Sequence, residues 1–297
     1  MAAPYRWVAW VRRRLRLGVG GLMVVILLFG FWLGHRVQMA REQRIAVAAV
    51  KADRGLVRYA DEFSMGPVKV IPGTAIRRPS WGKLIPGKGP IAPAWLREAI
   101  GDEYFREVAH VSLFADIEKG SMFAPNNLAR PVDQVLLDVR TQSGVRTLQV
   151  GGETLTDEGL KSVADLTNLR ELVLWWATGI TDAGVAHLRR MPNLRMVNIS
   201  LSGLTDEGVD FLSELPALED LDLEGKKFTD RSLLSLSKAR NMKSLVLSGD
   251  VSEISDEGLE HLKGLKELRN LRIGENSKIT PGARKRLIQA LPGLNFF

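Results

Sequence analysis

The chain has 297 residues, 45% of them hydrophobic and 25% charged, a balance that excludes wholesale disorder. It contains no cysteine, which excludes a disulfide framework and a thiolate metal site. The formal net charge of +7 is unevenly placed: residues 1–34 carry five arginines and no acid, residues 35–100 twelve Lys/Arg against five Asp/Glu, and residues 101–297 twenty-four against twenty-nine. The basic character therefore belongs to the N-terminal third, and nucleic-acid binding by a basic folded domain is not expected.

Residues 17–33 (LGVGGLMVVILLFGFWL) form an uncharged run preceded by Arg12, Arg13, Arg14 and Arg16. With Trp7, Trp10 and Trp32 at its borders, the run approaches the roughly 17–25 residues that cross a bilayer. A cleaved signal peptide would have an apolar core of about 7–15 residues and small residues before the cut, whereas Ala40 here has Gln38 two positions earlier. Residues 17–34 are accordingly expected to be an uncleaved single-pass anchor in the cell membrane. The denser arginine cluster on the N-terminal side predicts a cytoplasmic tail at 1–16 and an extracytoplasmic remainder, against the weaker pull of His35, Arg36, Arg41 and Arg44. Gly30 and Gly34 have the spacing through which two anchors associate weakly, although glycine is common in membrane helices for other reasons.

Residues 35–65 read as a juxtamembrane helix over 38–51, with Ile45, Val47, Ala48 and Val50 as its apolar material, and a short strand at Leu56–Tyr59. Residues 66–93 (GPVKVIPGTAIRRPSWGKLIPGKGPIAP) are a basic, Gly/Pro-rich linker. A solvated linker is the expectation, with contact to anionic lipid or to the acidic C-terminal region as the alternative. Residues 94–144 read as an N-terminal cap. Trp95, Leu96, Ala99 and Ile100 fit a short helix, and Phe105, Val108, Val111 and Leu113 a degenerate strand. A helix at Val132–Val139 follows a loop, 114–131, that contains Pro125 and Pro131.

The rest, 145–297, is one pattern written six times, at 145–168, 169–193, 194–217, 218–241, 242–267 and 268–293. Each segment opens with an aliphatic residue and places apolar residues three and five positions on: Leu148/Val150, Leu172/Leu174, Val197/Ile199, Leu221/Leu223, Leu245/Leu247 and Leu271/Ile273. A loop and a polar helix start follow: LTDEGL, ITDAGV, LTDEGV, FTDRSL, ISDEGL, ITPGA. A period of 24 to 26 residues with L-x-x-L-x-L is the signature of a leucine-rich repeat. The expected fold class is therefore an α/β solenoid, with a parallel sheet on the concave side and helices on the convex side.

Thr156, Thr181, Thr205, Thr229, Ser255 and Thr280 stand where a helix N-cap belongs. Asp157, Asp182, Asp206, Asp230 and Asp256 follow in the first turn, where the helix dipole favours an acid, and Pro281 suits the same place in the last repeat. Capping and dipole account for this column, and successive repeats hold the carboxylates apart, so neither a metal ladder nor a row of catalytic acids is expected. His187 and His261 occupy equivalent surface positions, and His35 and His110 have no suitable partners nearby in sequence. No nucleophile–base motif, phosphate-cradling loop or clustered metal ligand occurs, so the sequence assigns no catalytic residue, no metal and no cofactor.

Side chains alternate along a strand, so three columns of each repeat point away from the core. They are Thr147, Glu171, Met196, Asp220, Ser244, Asn270; then Gln149, Val173, Asn198, Asp222, Val246, Arg272; then Gly151, Trp175, Ser200, Glu224, Ser248, Gly274. The candidate partner-binding residues are Glu171, Val173, Trp175, Met196, Asn198, Asp220, Asp222 and Glu224. Val173, Trp175 and Met196 are expected to form an apolar patch bordered by acids, the usual energetic pattern of an interface. The competing use of Trp175 and Trp176 is structural, as packing for the loop 114–131.

The T-D-E-G-L wording resembles the repeats of F-box-type adaptor proteins, without an F-box before it. Over residues 38–293 the chain is more similar to the membrane-anchored leucine-rich-repeat proteins of planctomycete bacteria. The matching residues are Gln43, Arg44, Ala46 and Val47; Gly55, Val57 and Tyr59; and Trp95, Leu96, Gly101, Phe105, Val108, Val111 and Leu113. The basic stretch 66–93 and the loop 114–131 depart from that pattern. The resemblance implies no enzymatic activity and supplies no partner. The expected function is thus a non-enzymatic, membrane-anchored protein that binds a protein partner through its concave sheet. The alternatives are a structural scaffold or envelope component that self-associates, and an adaptor facing the cytoplasm.

Overall fold

A computed structural model describes residues 19–52, 56–59, 108–113 and 130–297. The expected tail 1–16, the linker 66–93, the short helix near 95–100 and nearly all of the loop 114–131 lie outside the described residues. The chain divides into two compact units, Met1–Glu42 and Gln43–Phe297.

The first unit holds most of α1, Val19–Ala52, one uninterrupted helix of 34 residues. The anchor and the juxtamembrane helix read separately from the sequence are therefore a single element, since neither glycine nor proline interrupts residues 35–52. At 1.5 Å per residue it is about 50 Å long. From Met23 to Leu33 its large apolar side chains are 40–79% exposed. It is the one helix among the described residues long and apolar enough to cross a membrane. Trp32 stacks on Phe29 with ring centroids 5.7 Å apart, and the Arg36 guanidinium lies 5.7 Å over the Trp32 ring. An aromatic ring joined to a cation at the end of an apolar run suits a membrane interface.

The second unit is a nine-stranded sheet in simple sequential order. β1 (Leu56–Tyr59) pairs antiparallel with β2 (Val108–Ser112), and every later pairing is parallel. β3 to β9 are Thr147–Gly151, Glu171–Trp175, Met196–Ile199, Asp220–Gly225, Ser244–Gly249, Asn270–Ile273 and Asn295–Phe296. The intervening helices are α2 (Val132–Val139), α3 (Asp157–Val163), α4 (Asp182–Ala186), α5 (Asp206–Ser213), α6 (Asp230–Leu236), α7 (Asp256–His261) and α8 (Pro281–Ala290). Strands pack about 4.8 Å apart and helices about 8–10 Å apart, so the sheet takes the inner radius of the array. This is a leucine-rich-repeat solenoid. β9 adds the start of a seventh strand, in register with Asn270 and Leu271.

The repeated apolar letters form one continuous core. The paired strand residues from Leu148/Val150 to Leu271/Ile273 are at most 2% exposed, and the residues that open each repeat, Val145, Leu169, Leu194, Leu218, Met242 and Leu268, are buried with them. Each such side chain contributes about 1.5–3 kcal/mol by leaving water. Val50 of α1 joins the same core, and Val47, Val57 and Tyr59 pack against it.

The aspartate column does more than its helix position explains. Each carboxylate reaches the cap of the next repeat: Asp133 to Thr156, Asp157 to Thr181, Asp182 to Thr205, Asp206 to Thr229, Asp230 to Ser255 and Asp256 to Thr280. One oxygen accepts the cap residue's backbone N–H at 2.7–3.0 Å and the other accepts its hydroxyl at 2.6–2.8 Å. Thr181, Thr205, Thr229, Ser255 and Thr280 also accept an early helical N–H, as expected. Thr156 does not; its hydroxyl is used only toward Asp133. The glycine of T-D-x-G makes room for this bond. A Cβ at Gly159, Gly184, Gly208 or Gly258 would run into the carboxylate of the preceding repeat. Ser232 fills that place in the fourth repeat and donates its hydroxyl to Asp206 instead.

Candidate functional site

Parallel pairing sets the outward columns side by side. Thr147, Glu171, Met196, Asp220, Ser244 and Asn270 are register partners across β3 to β8, and so are Gln149, Val173, Asn198, Asp222, Val246 and Arg272. In the third column Gly151 pairs with Trp175, and Glu224 with Ser248. The eight sequence-selected residues thus lie on adjoining strands of one sheet face.

Their exposure is not what the sequence leads one to expect. Val173 is 2% and Met196 7% exposed, so neither offers an open apolar surface. Val173 sits in register between Gln149 and Asn198, and Met196 between Glu171 and Asp220; longer or polar neighbours flank both. Toward the N-terminal end the face is closed altogether, with His110, Ser112, Thr147 and Gln149 buried although they point away from the core. Glu171, Trp175, Asn198, Asp220, Asp222 and Glu224 are half-buried. The Asn198 amide donates to Asp222 at 3.0 Å, which fixes that pair before any partner arrives.

Burial, followed by the charge of Asp220 two strands away, pushes the Glu171 carboxyl up to about 7 from an ordinary 4.5. The folded state therefore retains a proton that the unfolded chain releases above pH 4.5. The contribution of this carboxyl to stability is fully present below that pH and is lost as pH rises through 7, by up to about 3 kcal/mol. Glu171→Gln should remove this loss. Urea titrations at pH 5 and pH 8 should show a drop for the native chain and none attributable to this site in the variant; equal drops in both would refute the assignment.

Beyond the strand ends lies a feature that the repeat pattern does not announce. Trp176 and Leu201 hold left-handed backbone, with φ of 50° and 52°. The corresponding residues of other repeats are Gly152, Gly225, Gly249 and Glu275, and of these Gly152 and Gly249 also have positive φ. Left-handed geometry costs an L-residue roughly 1–2 kcal/mol, so glycine suits this turn. Two neighbouring repeats place bulky apolar side chains there instead, and Leu201 is 44% exposed. Ser202, next in the chain, donates its N–H and its hydroxyl to the Glu224 carbonyl, at 3.0 and 2.9 Å, which ties this turn to the acidic column. The signal available in the sequence was the break in the glycine column at 176 and 201, where apolar residues stand, besides Glu275 in the last repeat.

Among the described residues no three His, Asp or Glu side chains are grouped to hold a metal ion. No family model matches the chain, and no curated protein matches it. Among solved structures it is similar to an internalin (inlF) from Listeria monocytogenes str. 4b F2365, at 20% identity and a TM-score of 0.42. That match covers 54% of this chain, which spans only 42% of the internalin chain.

Proposed function

We propose that this chain is a membrane-anchored recognition protein without catalytic activity. Its α1 helix spans the bilayer once, and its solenoid, on the extracytoplasmic side, binds a protein partner. The observation that carries the reading is the pair of strained apolar residues, Trp176 and Leu201, beside a half-buried tryptophan and an acidic column. Strain held against the local preference of the backbone points to use by a partner. The accessible parts of Trp175, Leu201, Asn198, Asp222 and Glu224 form the surface, with an apolar anchor and a polar border. Val173 and Met196, buried, and Glu171, half-buried, lie beside it on the same sheet face. The resemblance to planctomycete-type anchored repeat proteins belongs to this reading.

Proximity labelling from the solenoid identifies candidate partners, and pull-downs with surface variants test the site. Leu201→Gly should keep or raise the melting temperature, because it relieves the left-handed strain, while weakening capture. Trp175→Ala combined with Asp222→Lys should abolish capture in a chain that still folds. Retention of every partner by that folded variant would sink the surface assignment. Protease digestion of the solenoid in intact spheroplasts tests its side of the membrane, and protection there would favour the cytoplasmic adaptor.

A further inference from the structure

The solenoid carries opposite charge on its two edges. Turns leading from helix to strand (140–146, 164–170, 187–195, 214–219, 237–243 and 262–269) hold twelve Lys/Arg against four Asp/Glu. Turns leading from strand to helix (151–160, 175–184, 200–209, 224–232, 248–259 and 274–283) hold four against thirteen. The aspartate ladder and the helix dipoles account for eight of these thirteen acids.

Neither accounts for the most regular part of the basic edge, the residue that leads into each strand. Arg146, Arg170, Arg195, Lys243 and Arg269 occupy this position, and Glu219 takes the remaining place. The fold uses only the backbone here. The carbonyl of Arg146 accepts the N–H groups of Arg170 and Glu171, that of Arg170 those of Arg195 and Met196, and so along the array. The Glu219 carbonyl does the same for Lys243 and Ser244, so the stacking sets no sign of charge at this position. The five cationic side chains are exposed. Glu219 is shared between Arg195 at 3.3 Å and Lys243 at 2.8 Å, and Arg269 lies 3.9 Å from Glu267. Cations repeated at a strand spacing of about 4.8 Å repel one another, and this compensation leaves the line net positive.

We propose that this strand-entry edge docks on the anionic lipid headgroups of the bilayer that holds the chain. The inference rests on the anchored reading above, because a tether keeps the edge close to a lipid surface and lets weak contacts add. Headgroups of an anionic leaflet attract each nearby Lys or Arg by an amount equivalent to about fivefold in occupancy, and the attraction fades within a Debye length. A row of cations along one rim of the array can face a flat charged surface together. Docking along it turns the opposite, acidic edge away from the lipid.

The chain has no cysteine, so a single introduced one takes a fluorophore selectively. Full-length protein with Thr167→Cys, labelled on the basic edge, would be placed in nanodiscs carrying a headgroup-linked nitroxide quencher, either all zwitterionic or with a third phosphatidylserine. Quenching in the anionic discs alone, removed by 1 M NaCl, is the expected result. Arg170→Gln with Arg195→Gln should lower the docked-to-undocked ratio about twenty-five-fold. A label at Lys227→Cys, on the acidic edge, should stay unquenched. Equal quenching in both lipids, or none in either while the chain elutes with the disc, overturns the docking but leaves the anchor standing. A chain that does not elute with the disc overturns the anchored reading and the docking with it. Energy transfer between labelled copies in place of lipid quenching overturns the lipid assignment in favour of a second copy.

Discussion

Asp182→Ala should lower the free energy of unfolding by about 3 kcal/mol, far more than an exposed first-turn acid contributes. Its carboxylate accepts the Thr205 N–H at 2.9 Å, the Thr205 hydroxyl at 2.7 Å and the Gly208 N–H at 2.9 Å, all from the following repeat. A hydrogen bond to a charged group is worth about 1.5–3 kcal/mol, and truncation leaves two partly buried N–H groups without an acceptor. The discriminating control is Glu158→Ala. Glu158 also stands in a first helical turn, but its side-chain contact is an exposed pair with Lys161. If the dipole were the whole role of these acids, both substitutions would cost a similar 0.3–1 kcal/mol or so. If the ladder matters, only Asp182→Ala weakens the joint between the second and third repeats. Because stability in such arrays is a sum of repeat and neighbour terms, the urea transition should also broaden or split. A loss below about 1 kcal/mol with an unchanged slope would refute the coupling.

Phe228→Ala should cost about 3–5 kcal/mol, the range for deleting a buried aromatic ring. Phe228 is the largest fully buried side chain among the described residues and stands where Leu155, Ile180, Leu204, Ile254 and Ile279 stand in the other repeats. Its ring occupies the space beside Gly225: a Cβ added at Gly225 would strike it. Phe228→Leu should therefore cost less, since every other repeat places an aliphatic residue here, and a smaller cavity remains. Gly225→Ala should destabilise in the native chain and be partly relieved in combination with Phe228→Leu, a non-additivity that a double-mutant cycle measures; the Leu204 carbonyl, 2.8 Å from the added Cβ, limits the relief. Additive costs would mean that the ring and the glycine do not share this space.

The surface variants gain meaning from these two results. A substitution in the ladder or the core lowers capture by unfolding the array, whereas Leu201→Gly is expected to lower capture while stability holds or rises. Only the second pattern identifies a recognition surface.

The sequence by itself determined the solenoid. An apolar letter every second residue, then a Thr-Asp start, then helical spacing fixes which residues form strands and helices and which side of each faces inward, because these are local properties of a chain with periods of 2 and 3.6. The short strand Leu56–Tyr59 and the helix Val132–Val139 were legible for the same reason. Lateral neighbours were not. The partner of each aspartate lies some 24 residues away on the next repeat, so capping alone sufficed to explain Thr-Asp until stacking brought the two together. Asp133 was hidden further, since Pro131 stands at its helix cap and the Thr-Asp wording is missing there.

The candidate surface divides in the same way. Alternation placed Glu171, Trp175, Asn198, Asp222 and Glu224 on the outward face, but how much of each remains open depends on the side chains beside it. In the folded array Val173 and Met196 are buried, which alternation along the strand does not reveal. The left-handed turns at Trp176 and Leu201 were likewise decided only in the tertiary structure. Gly152 and Gly249 hold positive φ at the same repeat position and Gly225 does not, so neither the position nor the residue type alone sets this turn.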